Sequence, residues 1–547
     1  MVAGYQPRWL PKDLVAGLVL TAVLVPQGMA YAELAGLPAI TGLYTSILCL
    51  VGYAALGPSR ILVLGPDSSL GPMIAATILP LVGAEGNPTR AVALASVLAL
   101  LVGGMMILAG AAKLGFVADL LSKPTQIGYM TGLALTIVVG QLPKLFGFSI
   151  HSDTLIGDIT GFVNGVRSGE TVAAAVLVGI FALTVILVLQ RWLSKIPGVL
   201  AAVVLSIIAT LVFDLGRHGV SLVGTLPQGL PPFTIPNISA SDLGLLVAGA
   251  LGISLVALTD TISTASAFAA RSGDEVQANQ EMIGIGASNV AAGLFQGFPV
   301  STSGSRTAVA EQSGAKTQVA GLVGAAVIVL MLVVVPGLFR NLPQPTLAAV
   351  VMAAALSLAD LAGLRRLWAV RRTEFALAMA AFLGVALLGV LPGIAIAVGL
   401  SILNVFRRSW WPYSTCLGRV EGIPGYHDVR SYPDAERIDG IVVFRFDAPL
   451  FFANARAFRQ QINELADSQP RPRWIVVAAE PITDVDTTAA DMLEDLDESL
   501  NRQGISLVFA ELKDPVLKKI ERYELTRTID PTHFYPTIDS ALEALRR

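Results

Sequence analysis

The chain has 547 residues, of which 54% are hydrophobic and only 14% charged, and its mean hydropathy is +0.68. A soluble protein of this length carries far more charge, so the composition excludes an ordinary globular protein and predicts a polytopic membrane protein. The formal net charge of −3 leaves no electrostatic footprint for nucleic acid.

The first apolar run follows a short, weakly basic start (Arg8, Lys12) and lacks a clean small-residue cleavage site, so it reads as a retained span. Apolar segments of spanning length lie at 14–34, 39–57, 91–112, 125–142, 171–190 and 197–213. After a polar connection they resume at 245–270, 277–296, 318–337, 345–359, 374–391 and 393–409. With two interrupted segments, 61–82 and 297–314, the hydropathy criterion predicts about fourteen crossings. Alternating the loops puts about fifteen Lys/Arg on the N-terminal side and about five opposite, which places both termini in the cytoplasm of an inner-membrane protein. The rich loops include Lys113 and Lys123, Arg191 and Lys195, Arg365, Arg366, Arg371 and Arg372, and Arg407 and Arg408. Cys49 and Cys416 lie in different regions and make no disulfide framework, and His151, His218, His427 and His533 show no metal-ligand spacing.

The interrupted segments carry the chemistry. Gly297-Phe-Pro-Val reads as a short extended piece, with Ser301 or Thr302 capping a half-helix that contains Ser303 and Arg306. Broken backbone at that depth is tolerated only inside protein or beside a water-filled cavity. A capped helix N-terminus offers free N–H donors and partial positive charge, and Arg306 adds a full charge on the same face as Ser303. The expected ligand is an anion. Residues 59–69 repeat the design: an apolar extended run, Gly65-Pro66, then Asp67-Ser68-Ser69 opening a helix. One segment is third among the first seven spans and the other third among the second seven. Paired interruptions at matching positions point to an inverted-repeat transporter whose half-helix N-termini meet near the midplane.

The expected domains are a cytoplasmic N-terminus at 1–13, a first repeat at 14–214, an extracytoplasmic connection at 215–244, a second repeat at 245–410, a linker at 411–436 and a soluble domain at 437–547. In the last, strands at 441–446, 474–479 and 505–510 alternate with helices at 453–467, 488–502 and 513–521, predicting a small α/β sheet.

Several motifs in order resemble the sulfate permease family of anion transporters, also known as solute carrier family 26. They are Val25-Pro-Gln-Gly-Met-Ala-Tyr-Ala32, Leu34-Ala-Gly-Leu-Pro38, Gly42-Leu-Tyr44, Gly57-Pro-Ser-Arg60, Gly65-Pro66, Asn279-Gln-Glu281 with Gly284, Asn289-Val-Ala-Ala-Gly293 and Ser303-Gly-Ser-Arg306. The tail, with Asp447-Ala-Pro-Leu-Phe-Phe-Ala-Asn454, is similar to the family's STAS domain. The resemblance implies a seven-plus-seven inverted repeat, a mobile core against a gate, homodimers, and an anion held between the third and tenth helix ends. By position it implies Gln27, Tyr31, Ser68, Ser69, Ser301, Thr302, Ser303 and Arg306 as substrate ligands. Asp260 and Thr264 match positions where some relatives bind Na+, and other relatives use a carboxylate in that helix to couple protons. Asp67 departs from the pattern, in which many relatives have an uncharged residue beside the Gly-Pro; a carboxylate there would repel substrate unless protonated, paired with Arg306 or turned away.

Blander readings stand beside these. Arg306 could be a lattice pair, Asp260 could bond neighbouring backbone, Asp67 and Asp486 could be helix caps, and Gln27 and Tyr31 could be packing. Glu281 reads as structural, through local hydrogen bonds. With no nucleophile–base pair, Walker loop or metal cluster in the sequence, neither an enzyme nor an ATP-driven pump is expected. The expected function is secondary active transport of small oxyanions, sulfate foremost, by proton- or Na+-coupled symport or by exchange. A bicarbonate or dicarboxylate carrier of the same fold is the near alternative. An anion channel and a membrane-tethered signalling protein, with a regulatory partner at the STAS domain, are the alternatives of another class.

Overall fold

The computed structural model describes residues 5–83, 86–150, 152, 154–193, 197–272 and 275–546; His151 and Lys195 lie outside them. The chain divides into two units, Met1–Ser401 and Ile402–Arg547.

In the first half of the helical unit the elements are α1 (Leu10–Leu34), α2 (Ala39–Leu56), β1 (Leu64–Gly65), α3 (Gly71–Val82), α4 (Pro88–Ala111), α5 (Lys123–Phe146), α6 (Leu155–Arg167), α7 (Ala173–Trp192) and α8 (Gly198–Phe213). The second half follows as α9 (Leu243–Ser272), α10 (Ala278–Leu294), β2 (Ser301–Thr302), α11 (Gly304–Gln312), α12 (Val319–Val334), α13 (Gln344–Leu358), α14 (Leu361–Val370), α15 (Arg372–Leu388) and α16 (Val390–Trp410). Every uninterrupted apolar segment forms one of these helices. Among the described residues, 8 helical stretches are long and apolar enough to cross a membrane, and α3, α8 and α12 are shorter apolar helices. At 1.5 Å per residue, α3 is about 18 Å long and α11 about 14 Å, so neither crosses a hydrocarbon core of about 30 Å. These are the two half-helices.

One boundary differs from the sequence reading, and two helices are additional to it. The first long helix starts at Leu10 rather than at 14, which draws Asp13 into the fold. Its buried carboxylate accepts N–H bonds from Lys316 (2.6 Å) and Thr317 (3.2 Å) and the Thr317 hydroxyl (2.7 Å), capping the turn before α12. Two further helices, α6 and α14, follow the fifth span of each half. Their apolar residues recur with helical period between polar ones, so window-averaged hydropathy does not register them.

Packing relies on small residues where backbones cross. A Cβ on Gly128 of α5 would lie 2.0 Å from the carbonyl oxygen of Ala378 on α15, so only glycine permits this crossing. The connection at 215–244 is tied down rather than free: Val223 N–H bonds Leu342 O (2.9 Å) and Thr234 N–H bonds Leu294 O (2.9 Å).

The second unit comprises β3 (Ser414–Arg419), β4 (Tyr426–Asp428), β5 (Ile441–Phe446), α17 (Ala455–Ala466), β6 (Trp474–Ala478), α18 (Thr487–Asn501), β7 (Ser506–Ala510), α19 (Asp514–Arg522), β8 (Phe534–Tyr535) and α20 (Ile538–Leu545). They build a 6-stranded sheet in the order β4-β3-β5-β6-β7-β8, parallel from β5 to β8 and antiparallel at β3 and β4. The expected linker at 411–436 is therefore corrected. Its Pro and Gly residues mark turns around two strands, and β3 pairs with β5 from Ser414 opposite Phe446 to Leu417 opposite Val443. Asp486 is the cap foreseen as its plain role, accepting the Ala489 N–H at 2.8 Å.

Candidate anion site

The two interrupted segments meet. Strands β1 and β2 pair antiparallel, with Leu64 opposite Thr302 and Gly65 opposite Ser301. Ser303 N–H extends the ladder to Val63 O at 3.1 Å, and Val63 N–H donates to Thr307 Oγ1 at 3.1 Å. Backbone left unpaired inside a membrane costs several kcal/mol per group, so the extended piece before β2 needs partners. They come from side chains of three helices. Asn289 accepts the Val300 N–H at 2.9 Å, Thr45 accepts the Phe298 N–H at 3.2 Å, and Ser96 donates to Gly297 O at 3.2 Å.

Ser303, not Ser301 or Thr302, caps α11, with Oγ accepting the Arg306 N–H at 3.4 Å. Ser301 and Thr302 are held in the strand by the β1 pairing, which fixes them outside the helix. Thr302 Oγ1 donates to Thr261 Oγ1 at 2.8 Å, whereas Ser301 Oγ is buried without a hydrogen-bond partner. Arg306 is fully buried, and its Nε, Nη1 and Nη2 find no hydrogen-bond partner among the described residues. Its nearest described carboxylate oxygen is Asp67 Oδ2, 3.9 Å from Nη2. A Cβ on Gly65 would sit 2.7 Å from Arg306 Nη1, so this glycine makes the room the guanidinium occupies.

On the other side α3 opens at Gly71, after a turn through Ser68 and Ser69, so these serines precede the helix rather than start it. Asp67 Oδ1 accepts the Ser69 N–H (3.1 Å) and hydroxyl (2.7 Å), and Ser69 Oγ also lies 3.1 Å from Asp260 Oδ2 on α9. Asp67 is therefore not the cap of α3, whose N-cap is Leu70; it closes the turn before the helix and faces Arg306. Tyr31 is buried on α1 with its hydroxyl bonded to Ser68 and within the field of Asp67 and Arg306; Gln27 is buried one turn earlier. Thr264 lies one turn beyond Asp260, with Oγ1 3.9 Å from where a Cβ on Gly304 would be.

Three residues near this cluster escaped the sequence reading. Gln126 on α5 bonds Asp260, and Thr261 bonds Thr302. Tyr129, one turn after Gln126, is fully buried, has no hydrogen-bond partner for its hydroxyl, and lies in the field of Asp260 and Asp67. A Gln and a Tyr three residues apart within a membrane-spanning segment was the available signal. Glu281 needs a correction too. Its partners are distant in sequence, the hydroxyls of Tyr53 (2.6 Å) and Ser59, so it fastens α10 to α2 and to the segment after it. Among the described residues no cluster of three or more His, Cys, Asp or Glu could hold a metal ion.

The arrangement offers donors in excess: a whole guanidinium, the Ser301 and Tyr129 hydroxyls, and the amide end of α11. Such a set suits a compact ligand with several acceptor oxygens and negative charge.

Comparison with known proteins identifies the family. Residues 10–381 match the sulfate permease family, and residues 432–541 match the STAS domain. A probable sulfate transporter of Mycobacterium tuberculosis is 42% identical over 99% of this chain and 96% of its own length. Sulfate transporter 1.1 of Arabidopsis thaliana is 29% identical over 98% of this chain and 86% of its own. Among solved structures, the murine solute carrier 26 family member A9 anion transporter, inward-facing, superposes with a TM-score of 0.91 at 23% identity, covering 100% of this chain and 93% of that one. The transmembrane domain of a cyanobacterium bicarbonate transporter covers 73% of this chain and 98% of its own, with a TM-score of 0.63 at 22% identity. With a family match that covers most of its length and a helical membrane core followed by a STAS domain, the chain belongs to the sulfate permease family, which consists of transporters rather than enzymes.

Proposed function

We propose that this protein is a secondary active transporter of small oxyanions, sulfate foremost, working as a homodimer in the inner membrane with both termini cytoplasmic. The observation that carries the reading is Arg306, a buried guanidinium with three unbonded nitrogens where two half-helices meet. An uncompensated buried cation is costly unless a ligand completes it. Sulfate, with four oxygens and two charges, would take the guanidinium, the Ser301 hydroxyl and the α11 amide end together. Gln27, Tyr31, Ser68, Ser69, Thr302 and Ser303 would line the remainder.

Asp260 would carry coupling, and the hydrogen-bond count favours a proton over Na+. Ser69 Oγ has one hydrogen yet lies 2.7 Å from Asp67 Oδ1 and 3.1 Å from Asp260 Oδ2. It donates to one carboxylate, and the other contact closes if that carboxyl carries a proton. A single hydrogen added to Asp260 then lowers the negative charge beside the anion, while Asp67 keeps the Ser69 hydroxyl. The STAS domain is the proposed seat of dimer contacts and of a regulatory partner.

The test is uptake of labelled sulfate, bicarbonate and fumarate into proteoliposomes under imposed pH and Na+ gradients. Saturable sulfate uptake with trans-stimulation, driven by an inward proton gradient, is the expected result. Preference for bicarbonate or fumarate would change the substrate, Na+ dependence would change the coupling, and unsaturable flux without counterflow would mean a channel.

A further inference from the structure

The surface helix α14 has no role in the anion site. We propose that it is a binding site for the headgroups of anionic phospholipids, which anchor the α5–α15 pair to one leaflet. The helix is short, capped by Asp360, whose carboxylate accepts the Gly363 N–H at 2.7 Å, and none of its residues is buried. At about 100° per residue, Leu361, Leu364, Leu367 and Trp368 fall on one side, with Arg366 opposite and Arg365 flanking them. On this apolar side Leu361 is 57% exposed and Trp368 54%, while Leu364 and Leu367 are half-buried, so the protein leaves part of it uncovered. An amphipathic helix of this kind buries its apolar side at the acyl boundary and holds its cations among the headgroups.

The charge identifies the lipid. From 360 to 375 four exposed arginines, Arg365, Arg366, Arg371 and Arg372, stand against two carboxylates, Asp360 and Glu374. Asp360 is committed to its cap, and Glu374 pairs with Arg371 at 3.3 Å. Arg372 lies 5.3 Å from the Trp368 ring centre, a cation over an aromatic ring at the depth where both are favoured. The repeat supplies an internal comparison. Helix α6, at the matching place in the first half, also exposes apolar residues, including Ile156 and Ile159, but its charged residues are only Asp158 and Arg167. An interfacial position explains what the two helices share. It does not explain the arginines, which phosphate oxygens complement by paired hydrogen bonds and charge.

The anchor has a mechanical target. α14 packs on α5 and α15, which cross backbone to backbone at Gly128, and α5 also carries Gln126 and Tyr129. Headgroups held at α14 therefore fix the body that carries those two residues.

The test uses the full chain with Trp368 as its single tryptophan, the other five replaced by Phe, in phosphatidylcholine vesicles containing a few per cent of brominated lipid. Each arginine beside an anionic surface is worth about a five-fold enrichment at low salt. Brominated phosphatidylglycerol should therefore quench Trp368 at least about five-fold more effectively than brominated phosphatidylcholine. In R365Q/R366Q that preference should drop toward unity, while quenching by brominated phosphatidylcholine persists and reports correct insertion. R365K/R366K keeps the topological charge and should retain the preference. Equal quenching of the parent by the two lipids, or an undiminished preference in R365Q/R366Q, would overturn the proposal. So would loss of the preference on adding millimolar inorganic phosphate, which would make soluble phosphate the ligand.

Discussion

Replacing Arg306 by Met separates the two roles a buried arginine can have. The side chain fills a similar volume, so the packing around β1 and β2 is retained while the charge and its donors go. At an effective dielectric of about 20, a unit charge about 4 Å from the anion contributes about 4 kcal/mol, so removing it weakens binding by roughly a thousand-fold. The helix ends and hydroxyls remain, so some affinity survives. Stability should move the other way. The guanidinium makes no hydrogen bond, and its closest described carboxylate contact, to Asp67, is 3.9 Å long, so the empty protein loses little and sheds a desolvation cost. Equilibrium binding of labelled sulfate to purified protein, beside thermal melting without anion, reads both quantities. The expected pair is binding weaker by about 10²- to 10³-fold and a melting temperature equal to or above wild type. Wild-type affinity would refute the site, and a collapsed melting temperature would make Arg306 a lattice residue.

Gly65→Ala places a methyl 2.7 Å from Arg306 Nη1, where ordinary contact needs about 3.5 Å; moving the guanidinium by that difference should raise the KM for sulfate uptake by roughly three-fold or more without lowering expression. Asp67→Asn removes the carboxylate that competes for Arg306, so sulfate should bind more tightly. Under the coupling proposed at Asp260, wild-type uptake should rise as pH falls and Asp260→Asn should flatten that dependence; an unchanged profile in proteoliposomes would count against this. In the STAS unit, burial of Asp497 pushes its carboxyl up to about 6, partly opposed by the Asn501 amide. A carboxyl raised in the folded state destabilises once ionised, so the penalty is absent below about pH 4 and complete above about pH 6. Asp497→Asn should therefore slow hydrogen exchange in α18 at pH 8, by at most about 3 kcal/mol, and leave it unchanged near pH 4.

The spans were legible because apolar length is a local property, and the half-helices because Gly65-Pro66 and Gly297-Phe-Pro299 interrupt two apolar runs at matching places. What the sequence hid depends on contacts between distant segments. The Ser301–Gly65 pairing decides that Ser303 is the cap, and no residue near 301 announces it. Tyr129 resembles packing until its hydroxyl is seen without a partner near Asp67 and Asp260. The strands at 414–419 and 426–428 passed for a linker because they flank Gly422, Pro424 and Gly425, and their register comes from β3 pairing with β5 and β4 with β3. Helices α6 and α14 were overlooked for an averaging reason: half of each surface is polar.

The two-residue ladder between β1 and β2 has a consequence for selectivity. It binds the third and tenth segments into a single block, so the cradle that grips the solute cannot open by parting its own jaws. The solute would ride inside an unchanging receptacle, meeting the same ligands at either face of the bilayer. Discrimination would then be settled once, on loading, and whatever gradient drives the cycle would act on the journey and not on the choice of passenger.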